Sequence, residues 1–428
     1  MSIFTELKQK LSQEWRAIKA GQGIVEVRLE LTQSLDENQL LAWLKAQSHF
    51  PQGFWQERDQ AVCSAFVGAV KTFEQLDEAQ QFSTTYPFQL FGGVKFEGQC
   101  CFILPRLLFV KNQQNLTACF YVNTEQLAQE WQNCQAILQQ AELATLNWQP
   151  SEIISRTAQS DFPQWQTQIE QVLQAITQQQ FRKVVLANAT TLEFTQPISA
   201  YDLLVRSRQK NQGCYHFLWA ENNETTFIGS SPERLYLREE RQFHTEALAG
   251  TVAVTNDQAE TERNGLWLLN DPKNTYENQL VVDDISAHLA DCVEQIEINS
   301  AEIKRLHNVQ HLRRRIEAKL NPNIHDMECL ERIQPTAAVA GLPRLPAKKF
   351  IAETEGFQRG WYAGALGYLG QNKAEFCVAL RSAKIQQNRI TLYAGAGIVK
   401  GSTAQSEWHE IERKALAMSD LLQAEKLM

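Results

Sequence analysis

The 428-residue chain carries 41 Lys and Arg against 49 Asp and Glu, a formal net charge of −8. That balance argues against a nucleic-acid partner, whose phosphates call for a basic face. Hydrophobic residues at 43% and charged residues at 21% are ordinary for a folded globular chain and exclude disordered, fibrous and collagenous classes.

Residues 1–8 lack a basic region followed by an apolar run, so no signal peptide is expected. Residues 25–31 alternate as a strand, 38–46 have helical spacing, and 102–110 read as a buried strand. The most apolar stretch, 101–110, contains Pro105 and Arg106 and falls short of the roughly twenty residues a bilayer needs, so no membrane partner is expected. Nine scattered cysteines without a C-x-x-C pair argue against a disulfide framework and for a reducing, cytoplasmic location. Composition shifts at Trp148-Gln149-Pro150-Ser151. This seam divides the chain into residues 1–160, a variable amino-terminal part without a mechanism-bearing motif, and residues 161–428.

Beyond the seam, Asp161 and Pro163 open a helix running to 180, with Trp165, Ile169, Val172 and Ile176 on one face. Lys183-Val184-Val185-Leu186-Ala187 begins a strand. Further strands are expected at 215–219, 226–229, 235–237, 362–369, 376–383 and 390–396. Helices are expected at 201–209, 271–293, 348–355 and 403–424, the last opened by a capping box, Ser402-Thr403-Ala404-Gln405. The pattern is α+β, with two packed, mainly antiparallel sheets flanked by helices.

Several ionisable residues fall where burial is expected. Lys183 opens an apolar strand, either as an edge lysine reaching for water or as a desolvated amine usable as a base. Glu233 follows Pro232 at a strand-to-turn corner, either paired with Arg234 or held protonated in a pocket. Glu246 is a rival for that second role, and spacing does not choose between them. Glu277 borders an apolar helical stripe with Leu280, Val281 and Asp284. Glu407, Glu410 and Lys414 share one helical face, as a solvated Glu–Lys ladder, whereas carboxylates from two helices converging on one point would suit Mg²⁺. His307 and His311 stand four apart on a possible helix but lack the acidic partner of a metal motif, which favours a core or substrate-contact role. Gly395-Ala396-Gly397 lacks a dinucleotide-binding context and instead suits close approach of a ligand to the backbone.

Nine segments carry a resemblance by their order and separation across residues 165–425. They are Phe181-Arg182-Lys183-Val184-Val185-Leu186-Ala187, Gly229-Ser230-Ser231-Pro232-Glu233-Arg234-Leu235 and Ala247-Leu248-Ala249-Gly250-Thr251. Next come Lys273-Asn274-Thr275-Tyr276-Glu277-Asn278, Val309-Gln310-His311-Leu312 and Pro335-Thr336-Ala337-Ala338-Val339-Ala340-Gly341. The series closes with Ala379-Leu380-Arg381-Ser382-Ala383, Tyr393-Ala394-Gly395-Ala396-Gly397-Ile398-Val399 and Glu407-Trp408-His409-Glu410. This set resembles the chorismate-utilising enzyme family, with residues 161–428 as the chorismate-binding catalytic region.

The resemblance implies Lys183 as the base activating water, Glu233 as the acid, and Glu277 and Glu410 as Mg²⁺ ligands. It further implies that Gly250, Thr251, His311, Tyr362, Arg381, Gly395, Gly397 and Lys414 line the substrate pocket. Water would add at C2 of chorismate as the C4 hydroxyl departs, which needs a base and a proton donor on opposite sides. Lysine at 183 favours water, where ammonia-using members usually carry glutamine, and the Leu-Leu-Glu-Ser tryptophan-sensing motif is missing. Residues 245–251 and 335–344 most resemble menaquinone-pathway isochorismate synthases. Salicylate synthase, a siderophore-pathway isochorismate synthase and a silent chorismate-binding regulatory partner are the alternatives, and a monomer or homodimer is expected. One departure is Gln334 before Pro335-Thr336, where a histidine is usual; glutamine donates and accepts but cannot become cationic.

Overall fold

In strand Ile24–Leu31 the inward positions Val27 and Leu29 are buried between exposed Glu26, Arg28 and Glu30, the period-two pattern of a half-covered strand. The computed structural model describes residues 2–59, 62–140, 142–149 and 151–423. Pro150 of the seam and Ala424 of the last expected helix lie outside them.

Every strand pairing among the described residues is antiparallel. One sheet runs Ile24–Leu31, Asn115–Asn123, Cys100–Asn112, Val62–Phe73, Gln52–Gln56, Tyr215–Ala220, Thr225–Ser231, Ser382–Gln386, Arg389–Val399, Lys183–Phe194. The other leaves the first half of Cys100–Asn112 through Leu90–Val94, Ala365–Leu369, Lys373–Val378, Arg234–Glu239 and Gln242–Ala253 to Val309–Leu320. Strands of the first 160 residues are thus hydrogen-bonded into both sheets. Pro105 is tolerated inside Cys100–Asn112 because the facing strand slips register between Ala69 and Lys71, so a missing donor costs little there.

Two crossings between the sheets position the chemistry. The chain leaves Thr225–Ser231 in the first sheet and enters Arg234–Glu239 in the second through Pro232 and Glu233. It returns from Lys373–Val378 to Ser382–Gln386 through Ala379, Leu380 and Arg381. Residues 376–383, expected as one strand, are therefore parts of two. The break falls at Arg381, whose φ of 45° takes it out of the extended region. The crossings are stitched together: Val378 N–H donates to Glu233 O at 3.1 Å, Ser230 N–H to Arg381 O at 3.1 Å, and Ser231 Oγ to Val378 O at 2.5 Å.

Helices follow their caps. Asp161 accepts from Gln164 N–H while the Gln164 side chain bonds back, and Phe162–Thr177 buries Trp165, Ile169 and Val172. Asp271 caps Pro272–Leu289, which ends four residues short of the expected 293 because Val293–Ile298 is a strand. The last helix, Ala404–Ser419, is capped by Thr403 accepting from Ser406 N–H. The expected box at Ser402 is thus one residue out of register, and the Ser402 hydroxyl instead accepts from Val399 N–H. The 348–355 helix extends back to Arg344. Helix Pro272–Leu289 packs on Gln242–Ala253, and Ala404–Ser419 packs on Arg389–Val399. No helix among the described residues is long and apolar enough to cross a membrane.

Candidate active site

The paired crossings open onto a cavity lined by Glu233, Gly250, Thr251, Glu277, His311, Tyr362, Arg381, Gly395, Gly397, Glu410 and Lys414. Eleven of the twelve site residues expected from sequence therefore meet in one place; Lys183 stands just behind the lining. A wider cleft of about 1170 Å³ lies on the other face of helix Ala404–Ser419, among Ile153, Leu192, Leu392, Trp408 and Ile411. None of the expected site residues lines it, so chemistry and not size identifies the site.

Glu233 is 4% exposed. Burial, reinforced by the negative charge of Glu246, pushes its pKa up to about 8 despite Lys183, Lys414 and Lys304 nearby. Glu246 is as deeply buried, and burial alone would raise it too. Instead Lys304, Arg58 with its hydrogen bond, and the Arg234 N–H hold it at about 2. Of these two neighbouring carboxyls, Glu233 is therefore the protonated one at neutral pH and Glu246 the ionised one, set apart by their surroundings.

The carboxylates on the two helices are each tied to a cation. Lys183 Nζ, fully buried, lies 3.0 Å from Glu277 Oε1. That distance makes an ion pair, yet the angles form no hydrogen bond, and the ammonium group has no other partner. Lys414 Nζ contacts Glu410 Oε1 at 2.6 Å and donates to Gly395 O at 2.9 Å. Burial works against its charge, but Glu410, Glu277 and Glu407 raise its pKa above the ordinary value. Lys273 pairs with Glu407 at 2.7 Å. Gly397 is the glycine this corner requires: a methyl group there would collide with the Glu277 carboxylate and sit 3.0 Å from Lys183 Cε.

On the opposite wall, Gly250 occupies a bulge with φ 82°, and the ladder slips between Ala249 and Thr251. The slip sets Thr251 against His311, whose Nδ1 lies 3.1 Å from Thr251 Oγ1. Arg381 Nη2 is 3.4 Å from His311 Nε2. A guanidinium only donates, so Nε2 accepts and Nδ1 carries the proton. Burial, with Arg381 and Lys414 close by, drives the His311 pKa well below its usual value, in keeping with that neutral ring. Arg381 Nη1 is buried without a partner, a donor left for an anion inside the cavity. Tyr362 stacks on Tyr393 at 5.0 Å, and its hydroxyl would be 2.9 Å from a methyl group at Gly395.

His307 and His311 share no helix. His311 lies in the strand Val309–Leu320, paired with Gln242–Ala253, and His307 lies in the turn before it. Gln334 does not line the cavity, and its buried Nε2 has no hydrogen-bond partner. Sequence reasoning passed over Ala338, Val339, Leu380 and Tyr393, which also line the cavity. It passed over Arg58 and Asp284 as well. Asp284, two turns beyond Glu277, accepts from Ala337 N–H at 2.8 Å and so holds the loop that presents Ala338 and Val339. The helical spacing of 277 and 284 was visible; the contact partner was not.

A double antiparallel sheet whose crossings deliver Glu233 and the unpartnered Nη1 of Arg381 to a cavity, where helices add the carboxylates of Glu277 and Glu410, defines a chorismate-binding fold. The chain belongs to that family: the profile described as "Chorismate binding enzyme" matches residues 94–423. Isochorismate synthase MenF of Haemophilus influenzae is 45% identical over 394 residues, 92% of this chain and 91% of that protein. The protein of the same name from Escherichia coli is 40% identical over 434 residues, 99% of this chain and all of its own length. The solved structure of that menaquinone-specific isochorismate synthase superimposes with a TM-score of 0.91 at 39% identity, covering 98% of this chain and 99% of the other.

Proposed function

We propose that the protein is an isochorismate synthase, converting chorismate to isochorismate. The observation that carries this reading is a buried carboxyl, Glu233, held protonated in a cavity that also presents the unpartnered Nη1 of Arg381. Lys183, once its ammonium proton has passed to solvent, takes a proton from water as the water oxygen bonds to C2. The diene electrons shift, the C4–O bond breaks, and Glu233 delivers its proton to the departing hydroxyl. The released water balances the one consumed, and exchange with solvent resets both side chains. Arg381 holds a substrate carboxylate, with neutral His311 and Thr251 as hydrogen-bonding wall and Lys414 as a second cation.

Glu277 and Glu410, hard oxygen donors from two helices lining one cavity, suit Mg²⁺, which accepts one or two carboxylates with water and an anionic ligand. Among the described residues no three His, Cys, Asp or Glu side chains converge into a closed cage, so the protein offers a partial donor set that leaves room for substrate. When bound, Mg²⁺ would neutralise carboxylate charge and orient the ring. Every residue given a role in contact with substrate or metal comes from 183–414, which supports 161–428 as the catalytic region and a site complete within a single chain. Nine free thiols support a reducing, cytoplasmic setting. The similarity to menaquinone-specific relatives supports that pathway.

Incubation with chorismate and Mg²⁺, followed by chromatographic resolution of products, tests the reading. Isochorismate is expected. Salicylate with pyruvate would make the protein a salicylate synthase, and binding without turnover would make it a silent partner.

A further inference from the structure

Behind the Pro232–Glu233 crossing lies a buried ionic cluster to which the reaction above gives no task. Glu246 sits at its centre, on the strand Gln242–Ala253. Arg58, from the first part of the chain, donates through Nη1 to Glu246 Oε1 at 2.6 Å and to Pro232 O at 2.9 Å. Lys304 Nζ also donates to Pro232 O and lies 3.8 Å from Glu246 Oε1. Arg234 N–H donates to that same oxygen at 3.0 Å, and Arg313 Nη1 lies 3.6 Å from Glu246 Oε2. The residues on either side of Glu233, Pro232 through its carbonyl and Arg234 through its amide, are therefore both gripped by one cluster.

We propose that Glu246, held by Arg58 and Lys304, is the positioning residue of the proton donor. It fixes the turn that aims Glu233 and places a permanent negative charge beside that carboxyl, so that Glu233 keeps its proton until the leaving hydroxyl takes it. The inference rests on the reading of Glu233 as donor. Its physical basis is the high cost of a second anion beside a first in a dry site.

Glu246 is the negative charge facing Glu233; Lys183, Lys414 and Lys304 are the positive ones, and Tyr362 and Cys377 are the neutral titratable neighbours. Burial and Glu246 keep Glu233 neutral, while the three lysines favour its ionised form. Removing Glu246 takes away the opposing anion and leaves Lys304 and Arg58 uncompensated, and both changes promote ionisation. Removing Lys304 acts in the reverse sense. A cluster with only a packing role has no reason to produce opposite signs.

The test is a titration of the Glu233 carboxyl by pH-difference infrared spectroscopy on the whole protein without chorismate. The band is identified by its loss in Glu233→Gln. Glu246→Gln should lower the midpoint by about one pH unit or more, and Lys304→Met should raise it. An unmoved midpoint, or displacement of both variants in one direction, overturns the proposal. If Glu246→Gln does not fold, Lys304→Met decides alone, and only an upward displacement sustains the proposal. The basic limb of the kcat/KM profile is measured alongside. If the carboxyl midpoint moves and that limb does not, the cluster stands and the assignment of Glu233 as donor falls.

Discussion

Replacing Glu233 with glutamine is expected to remove turnover and, at alkaline pH, to make the protein harder to unfold. The folded chain holds the Glu233 proton up to about pH 8, whereas the ordinary value of 4.5 describes the unfolded chain. Between those values the folded state binds one more proton than the unfolded state, so stability falls as pH rises and is flat again above about 8. Each pH unit in that window is worth about 1.4 kcal/mol. Wild type should therefore lose up to about 4 kcal/mol between pH 5 and pH 9 that the Gln variant, neutral in both states, does not lose. For a chain of 428 residues, an unfolding entropy of about 0.9 kcal/mol per kelvin turns this into a relative Tm difference of about 4–5 °C.

The measurement is calorimetric unfolding of both proteins at pH 5, 7 and 9 without chorismate or metal, reading the difference between them so that other titrating groups largely cancel. A Tm difference constant across that range would refute the reasoning, because it would mean that Glu233 titrates as an ordinary carboxyl. The same variant should still bind chorismate while its rate falls by about 10²-fold or more, since an amide fills the space without delivering a proton.

Three further outcomes are expected. Glu277→Gln and Glu410→Gln should each raise the Mg²⁺ concentration needed for half-maximal rate. Glu277→Gln should also lower Tm the more, because it strands the fully buried Lys183 without its counter-charge, while Glu410 pairs with a partly exposed Lys414. Lys183→Ala should abolish isochorismate formation in a folded protein, whereas Lys183→Gln at high ammonium should give slow ammonia addition; wild-type-like rates in the Ala variant would dismiss Lys183 as the base. Arg381→Met should raise KM for chorismate by about 10–100-fold, the worth of a charge-assisted hydrogen bond, with a smaller change in kcat read from the same saturation curves.

Much of this was legible in the sequence because its signals are local. The Asp161 cap, the apolar stripe of Trp165, Ile169 and Val172, and the strand after Lys183 each depend on neighbours a few positions away, and each is found where the pattern places it. What failed was non-local. Residues 376–383 read as one strand because composition does not register a change of sheet, and the positive φ at Arg381 falls on a residue type that gives no warning of it. The spacing of His307 and His311 suited a helix, but pairing of 309–311 with 251–253, some sixty residues earlier, made it a strand.

The choice between Glu233 and Glu246 shows why a site is harder to read than a fold. Both carboxyls are buried near the same turn, and burial acts on both in the same direction. What separates them is where the cations lie. Arg58 and Lys304 arrive from 188 residues before and 58 residues after Glu246, through strands whose pairing no short window contains. Their charges fall on Glu246, and that ionised group then suppresses ionisation of Glu233. The acid and the anion are thus assigned by topology: the first crossing and the hairpin that follows it bring the carboxyls together, and the amino-terminal part, which carries no motif of its own, supplies the arginine that tells them apart.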